Sequence, residues 1–458
     1  MLQEDGNSSV TSSPLQVFSM MPLSPGLGSS YPWLKELKSE ERGLYLIHLL
    51  LSCANHVANG CFENANVVLD QISQLATPNG DTMQRIAAYF TEALAERILK
   101  SWPGLYKALQ FTRIPVISEE MLARKLFVEM FPFVKLGLLV TNQAIMEAME
   151  GEKVIHIIDL NVTEPAQWIA LIQALSARPE GPPHLRITGV HQQKEVLDQV
   201  AHRLTEEAEK LDIPFQFNPV LSNLDSLDVE KLRVKTGEAV AISSVLQLHT
   251  LLASEDEALG KNSAVTSRHT NGVHLPEKDR VNGARSPSND SGSSSPLSSN
   301  GSSKLDTFLN ALWGLSPKLM VVTEQDSNHN GPALMERLLE ALYFYAALFD
   351  CSESTLPRTS IERMKVERTL YGEEIKNIIA CEGVERKARH QKLEKWIQRL
   401  DMAGFAGVPL SYISMLQARR LLQGYRCNGY QIREDNGCIV ICWQDRPLFS
   451  ISSWRCRR

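Results

Sequence analysis

Two segments of the chain carry residue types that could perform acid–base chemistry. Asp159 ends one continuous apolar run, and Glu324, Asp326, Asn328 and His329 follow another. Carboxylates, an amide and an imidazole in one cleft could transfer protons. No nucleophile and no metal-ligand spacing accompanies them. A polar loop at the end of a strand is therefore the favoured interpretation, and a vestigial pocket formed by Asp159, Glu324 and Asp326 is the alternative.

The turn after Asp159 indicates whether that carboxylate could serve a cofactor. Parallel α/β sheets bind ligands beyond the carboxyl ends of their strands, and a methyltransferase needs a glycine-rich turn there so that the backbone can approach its cofactor. Residues 160–165 contain no glycine, and Pro165 has no N–H. We expect no catalytic residue, no cofactor and no metal, and we interpret Asp159 as a carboxylate that caps a helix or holds a loop. His156, alone in an apolar run, is typical of a hydrogen-bonded core residue.

The elements that must position these residues alternate between two hydrophobic periods. Short continuous apolar runs, typical of parallel strands buried on both faces, lie at 154–159, 185–190, 215–220, 239–243 and 319–323. Helical periods separate them. Asn436 and Gly437 lie between two β-rich runs and predict an antiparallel hairpin. The pattern predicts an α/β fold: a Rossmann-like, class I methyltransferase-like doubly wound sheet with a C-terminal antiparallel hairpin, plus an α-helical cap.

The domain organisation follows from changes in composition. Residues 1–38 predict a disordered N-terminal arm, and 39–150 an α-helical cap without a sustained heptad. Residues 151–458 predict the methyltransferase-like core. A Ser-rich stretch at 254–303 has almost no large apolar side chains, so we expect it to interrupt the core as a disordered loop.

Charge and the remaining motifs exclude several classes of protein. The net charge of −6 argues against coating nucleic acid through bulk positive charge, and no apolar run is long enough to span a membrane. Two Leu-x-x-Leu-Leu stretches, 46–50 and 248–252, could dock in a groove, but core packing is favoured for both. The basic residues predict a solvated helix face, with a weak nuclear-import or phosphate-binding patch as the alternative. They are Arg386, Lys387, Arg389, His390, Lys392, Lys395, Arg399, Arg419 and Arg420.

Many motifs, in order along the chain, resemble the GRAS family of plant regulators. Its VHIID signature resembles the set Val154, His156, Ile157, Ile158, Asp159, Gln167 and Trp168. Its PFYRE region resembles the set Pro317, Phe344, Tyr345 and Arg386. Its terminal SAW region resembles the set Trp396, Trp443, Ser452, Ser453 and Trp454. The resemblance covers about residues 40–458 apart from the Ser-rich stretch, although Pro165 stands where the family usually has glycine.

The resemblance implies a nuclear transcriptional coregulator that is a scaffold for other proteins rather than an enzyme. Its implied roles are gibberellin signalling and root development. Its implied partners are transcription factors and other GRAS proteins, namely DELLA-type proteins and zinc-finger DNA-binding factors, with DNA contacted indirectly. Homo- or heterodimers stay open, as do three alternatives: a direct DNA-binding factor, an S-adenosylmethionine-dependent methyltransferase with an atypical turn, and a small-molecule sensor.

Overall fold

A computed structural model describes residues 38–110, 117–254, 303–425 and 427–457. The predicted arm and nearly all of the predicted Ser-rich loop lie outside these residues. None of the helices within the described ranges is long and apolar enough to cross a bilayer.

Helices fill the chain before the sheet and return between and after its strands. In the first part they are α1 (Ser39–Ala58), α2 (Phe62–Ser73), α3 (Thr82–Lys100), α4 (Pro103–Gln110), α5 (Ile117–Met130) and α6 (Pro132–Ala148). Those of the α/β part are α7 (Pro165–Ser176), α8 (Lys194–Lys210), α9 (Lys304–Gly314), α10 (Leu334–Thr355), α11 (Ile361–Val366), α12 (Glu373–Ala380), α13 (Leu393–Met402) and α14 (Tyr412–Gln423). A six-residue π-helical stretch joins α11 to α12.

Within the described residues, nine strands form one sheet. They are β1 (Val154–Asp159), β2 (His184–His191), β3 (Phe215–Leu221), β4 (Ala239–Val245), β5 (Leu319–Gln325), β6 (Phe405–Val408), β7 (Tyr430–Asp435), β8 (Cys438–Trp443) and β9 (Arg446–Cys456). Their order is β3-β2-β1-β4-β5-β9-β8-β7, and β6 pairs with β9. The first five are parallel and β9 joins β5 antiparallel. The predicted α/β class with a C-terminal hairpin is therefore confirmed.

The hairpin and the N-terminal helices show how local sequence sets local structure. Asn436 and Gly437 adopt φ values of 51° and 75° between β7 and β8, the left-handed conformation that a two-residue hairpin turn requires. Asp81 caps α3 by accepting from the Gln84 N–H, as its position predicts.

Two hydrophobic clusters lie on opposite faces of the sheet. One joins helices α1–α3 and α6 to α10, α12 and one sheet face, so the helical first part and the sheet share a core. The other lies between the sheet, α9, α13 and a 3₁₀ turn, Leu248–Ser254. The leucines of both Leu-x-x-Leu-Leu stretches are buried in these clusters, which confirms that they pack in the core.

Candidate functional site

A buried carboxylate ties the turn after β1 to the helix that follows. Asp159, the last residue of β1, is 5% exposed. It accepts a hydrogen bond from the backbone N–H of Asn161 at 3.1 Å and one from the indole N–H of Trp168, on α7, at 2.9 Å. Burial raises the pKa of Asp159 to about 6, against the lowering effect of these two bonds. The carboxylate therefore holds the loop rather than facing open solvent.

The backbone donors of this turn are also used within the chain. The N–H of Leu160 donates to the carbonyl of Ser243 at 3.0 Å, and the N–H of Val162 donates to the carbonyl of Val190 at 3.0 Å. The Asn161 N–H lies between them and donates to the aspartate. Residues 160–162 are thus hydrogen-bonded to the neighbouring strands β4 and β2. A cofactor phosphate or carboxylate would need these backbone N–H groups as donors, but they already have acceptors within the chain.

A side chain fills the space beside the turn. Val162 is fully buried and packs against Gly189 of β2. A Cβ at position 189 would lie 2.6 Å from Val162 Cγ1 and 2.8 Å from Phe217 Cζ. Pro165 begins α7 without an N–H, so this helix start offers one donor fewer. The geometry is that of a closed, packed turn, in contrast to the open glycine-rich turn that close cofactor approach requires.

His156 connects β1 to β2 and to the segment before β4 through a buried polar network. Its Nε2 lies 2.7 Å from Thr188 Oγ1, and its Nδ1 lies 3.0 Å from Arg186 Nη2 and 3.2 Å from Glu238 Oε2. Arg186 in turn donates to the carbonyl of Arg233 at 2.8 Å. Burial, with the nearby Arg186 charge, lowers the pKa of His156 to about 4. The imidazole is a core residue that anchors the segment between β3 and β4.

The carboxylates near β5 each hold a different backbone segment. Glu324 lies inside β5, and not after it as the sequence predicts, because the strand continues to Gln325. It accepts from the N–H groups of Gln247 and Leu248 at 3.0 and 2.8 Å. Asp326 accepts from the Leu393 N–H at 3.1 Å, at the start of α13. Glu324 and Asp326 share no hydrogen-bond partner with Asp159. The pocket predicted for these three carboxylates therefore stays a prediction.

No metal centre emerges from these groups: the described ranges hold no cluster of three or more His, Cys, Asp or Glu side chains placed to bind an ion.

The residues that resemble the PFYRE region lie in the core. Pro317, Phe344 and Tyr345 are buried, and the ring of His329 packs against both aromatic rings, 5.4 Å and 6.2 Å between centroids. Arg386 is 1% exposed and donates to the carbonyl of His329 at 3.0 Å. These side chains fix the loop that follows β5.

The predicted solvated helix face is wrong for its first part, 386–392, whereas Lys395 is exposed on α13. Arg386, Arg389 and His390 are buried, and the segment between Glu385 and Leu393 is not helical. Arg389 donates to Asn330 Oδ1 and to the Gly383 carbonyl, each at 3.0 Å. The guanidinium groups donate to oxygens of the protein in place of water. The pattern of charges along the sequence does not reveal these acceptors.

The residues that resemble the SAW region lie in or beside the antiparallel half of the sheet. Trp396 and Trp443 are buried, and the Trp443 indole donates to Asp350 Oδ2 at 2.7 Å. Trp454 donates to Ser452 Oγ at 2.9 Å. Ser453 donates to the carbonyl of Val408 at 2.6 Å and so holds β6 to β9. Their roles within the fold are structural.

An exposed apolar stripe on α4 was not predicted. Trp102 directly precedes α4, and Leu105 and Leu109 lie on it at helical spacing; their exposed fractions are 48%, 49% and 50%. The Trp102 ring also contacts the ring of Phe62, 5.7 Å between centroids. No residue of α4 is buried. The signal in the sequence was Pro103 at the first helical position followed by this spacing. We call Trp102, Leu105 and Leu109 the α4 stripe.

Comparison with known proteins gives consistent results. The sequence profile of the GRAS domain family matches residues 46–455. The chain is 66% identical to Scarecrow-like protein 3 of Arabidopsis thaliana over 481 aligned positions, which cover 100% of this chain and 99% of that protein. It is 36% identical to the protein SCARECROW of Arabidopsis thaliana, over 92% of this chain and 57% of that protein.

A solved structure supports the same assignment. The crystal structure of SCL7 in Oryza sativa superposes with a TM-score of 0.70 at 28% identity, over 90% of this chain and 99% of that one. The chain therefore belongs to the GRAS domain family, whose members are plant transcriptional regulators.

Proposed function

We propose that this protein is a nuclear transcriptional coregulator that acts as a non-catalytic scaffold in gibberellin signalling and root development. DNA-binding partners bring it to promoters. The observation that carries this proposal is the closed turn after β1, where a methyltransferase-like sheet would need an open one. The family and its plant relatives support the regulatory role.

Ligand binding tests the absence of catalysis. A ligand at a hundredfold over its dissociation constant stabilises a real site by roughly 2.7 kcal/mol. We expect no change in the melting temperature of the full chain with S-adenosylmethionine, because the amides of 160–162 already have acceptors. A reproducible rise that disappears in an Asp159→Ala variant would instead establish a cofactor site and make the enzyme interpretation correct.

The α4 stripe supports the scaffold role. Three large apolar side chains in one row, half exposed to water, are typical of a surface that docks a partner. Its partners in this proposal are a DELLA-type GRAS protein and a zinc-finger DNA-binding factor. A second copy of the chain is the alternative occupant.

Introducing charges into the stripe tests this surface. We expect the Leu105→Asp, Leu109→Asp double variant to bind the purified DELLA-type protein or the zinc-finger factor at least about tenfold more weakly, because two apolar anchors are lost. Calorimetry would measure affinity, and sedimentation would report any dimer. The matched control is Met402→Asp on α13, 86% exposed, which should bind as the native chain does. Equal affinities for the native chain, the double variant and the control would exclude the stripe as the binding surface.

Recruitment through partners also makes a prediction about DNA. With a net charge of −6, the chain alone should bind promoter fragments weakly and without sequence preference at physiological salt. Mobility shifts with and without the zinc-finger factor would measure this. Selective binding by the chain alone would favour the direct DNA-binding alternative.

A further inference from the structure

A buried chain of close polar contacts crosses the carboxyl end of the sheet. Ser327 Oγ lies 2.9 Å from His329 Nε2, and His329 Nδ1 lies 2.9 Å from His390 Nδ1. His390 Nε2 lies 3.0 Å from Glu374 Oε1. Ser327, His329 and His390 are 3%, 0% and 1% exposed. We call these four residues the histidine chain; they come from the loop after β5, the segment before α13, and α12.

The position of each proton follows from the end of the chain. The ionised Glu374 only accepts, so His390 carries its proton on Nε2. In the neutral ring the other nitrogen, Nδ1, then accepts, and His329 must donate from its own Nδ1. His329 Nε2 is left to accept from the Ser327 hydroxyl. In this arrangement of neutral rings, no two donors face each other along the chain.

Added protons change this arrangement stepwise. One proton on His390 is accommodated if the bonds reverse, so that His390 donates to His329 and His329 donates to Ser327. A second proton places two N–H groups against each other across the 2.9 Å contact between the rings. A charge on His390 also faces the ring of His249, whose centroid is 4.2 Å away. The chain thus tolerates little positive charge.

The surrounding groups come from every segment packed against the two rings. They are His249 after β4, Glu324 on β5, Glu340 and Tyr345 on α10, Glu374 on α12, and Arg386 and Arg389 of the segment itself. Burial, with the neighbouring imidazoles, lowers the pKa of both His329 and His390 despite the nearby glutamates. Both rings are therefore neutral at neutral pH.

The histidine chain also holds a segment in place. The N–H of His329 donates to the carbonyl of His390 at 2.9 Å, and Arg386 donates back to the carbonyl of His329 at 3.0 Å. Together these contacts fasten residues 383–392, which form no long helix or strand of their own, to the loop after β5. Asn377 of α12 holds the same segment through hydrogen bonds to its backbone.

We propose that the histidine chain is an acid-sensitive latch: it holds residues 383–392 against the sheet at neutral pH and releases them on acidification before the protein unfolds globally. The released segment takes up the protons that the closed state excludes. Because a closed-state pKa below the ordinary value of about 6.5 means that opening binds protons, the closed state loses stability as pH falls below that value.

Hydrogen exchange on the full chain tests this latch. Protection factors, which remove the intrinsic effect of pH, would be measured between about pH 7 and about pH 5. We expect protection of residues 386–391 to fall roughly tenfold per pH unit for each proton taken up, while β1 stays protected. Parallel loss in the segment and in β1 would mean global unfolding and would overturn the proposal.

Two variants separate titration from packing. His390→Gln keeps a donor and an acceptor but cannot take up a proton, so the acid dependence of the segment should become shallower. His48→Gln, at an exposed position on α1, is the matched control and should behave as the native chain does. An unchanged acid dependence in His390→Gln would overturn the latch. If that variant does not fold, an NMR titration of the imidazole groups in the native chain tests the proposal instead. If the rings of His329 and His390 stay neutral while the segment opens, the proposal is wrong.

Discussion

Adding one methyl group at Gly189 tests whether the turn after β1 is closed by packing. In Gly189→Ala the new Cβ would lie 2.6 Å from Val162 Cγ1 and 2.8 Å from Phe217 Cζ, both closer than real contacts allow. Val162 is fully buried, whereas Phe217 lies on the edge strand β3 and has more room to move. The valine is therefore the main obstacle.

The expected magnitudes follow from packing energetics. Overpacking a dense core costs about 1–3 kcal/mol, which we expect for Gly189→Ala. Val162→Ala removes two buried methyl groups and should cost about 2 kcal/mol, including the cavity left behind. In the double variant the alanine at 189 occupies part of that cavity. Its cost should therefore be smaller than the sum of the single costs by about 1 kcal/mol or more.

Urea unfolding of the native chain, both single variants and the double variant would measure the coupling. If the two costs add to within about 0.5 kcal/mol, the side chains do not compete for the same space and the closed-turn description fails. A control cycle pairs Val162→Ala with Gly407→Ala, whose Cβ would meet no atom closer than 3.7 Å.

Three further predictions concern buried polar contacts. Arg85→Met should cost about 3–5 kcal/mol in unfolding free energy, because it removes the partner at 3.1 Å from the buried Glu367 and leaves only Arg363, 3.8 Å away. Arg358→Met, on a guanidinium that is 57% exposed, should cost at most about 1 kcal/mol, and similar unfolding costs for both variants would contradict this prediction. Trp443→Phe should cost about 1–3 kcal/mol through loss of the bond to Asp350, and Asp350→Asn should then add little. Asp159→Asn should change the pH dependence of the unfolding free energy. Because the pKa of the native carboxyl is raised, its contribution to stability is full below about pH 3.8 and is lost as pH rises through about 6. Between these limits the variant should gain about 2–3 kcal/mol relative to the native chain, apart from a constant offset for the altered hydrogen bond. Unfolding curves at several pH values would show whether this gain is present.

The parallel strands and the hairpin were predictable because their signals are local. A strand buried on both faces is mostly apolar, and β1, β2, β4 and β5 show this apart from a few buried polar residues such as His156, Arg186 and Glu324. Asn436 and Gly437 are residues that adopt positive φ at low cost. Strand β6 was missed because its four residues, including Gly407, form too short a run to show a period.

The buried basic segment shows where local pattern fails. The charge pattern around Arg386 and Arg389 predicts a solvated surface. Their guanidinium groups instead donate to oxygens of His329 and Asn330, in the loop after β5, which lies far away in the sequence. Hydrophobic period cannot identify a charged residue whose acceptors come from elsewhere in the chain. The same limit applies to Glu324, whose backbone partners precede it by more than seventy residues.

By itself, the sequence determined the class of fold, the place of the turn after β1 and the absence of glycine within that turn, because these depend on residue type and short-range period. Only the tertiary structure decided what the polar residues do. Asp159 meets Trp168, His156 meets Arg186 and Glu238, and His329 meets His390 across gaps in sequence that no period spans. The physical reason is that burying a polar group requires a partner at hydrogen-bond distance, and the packing of the whole sheet and its helices selects that partner.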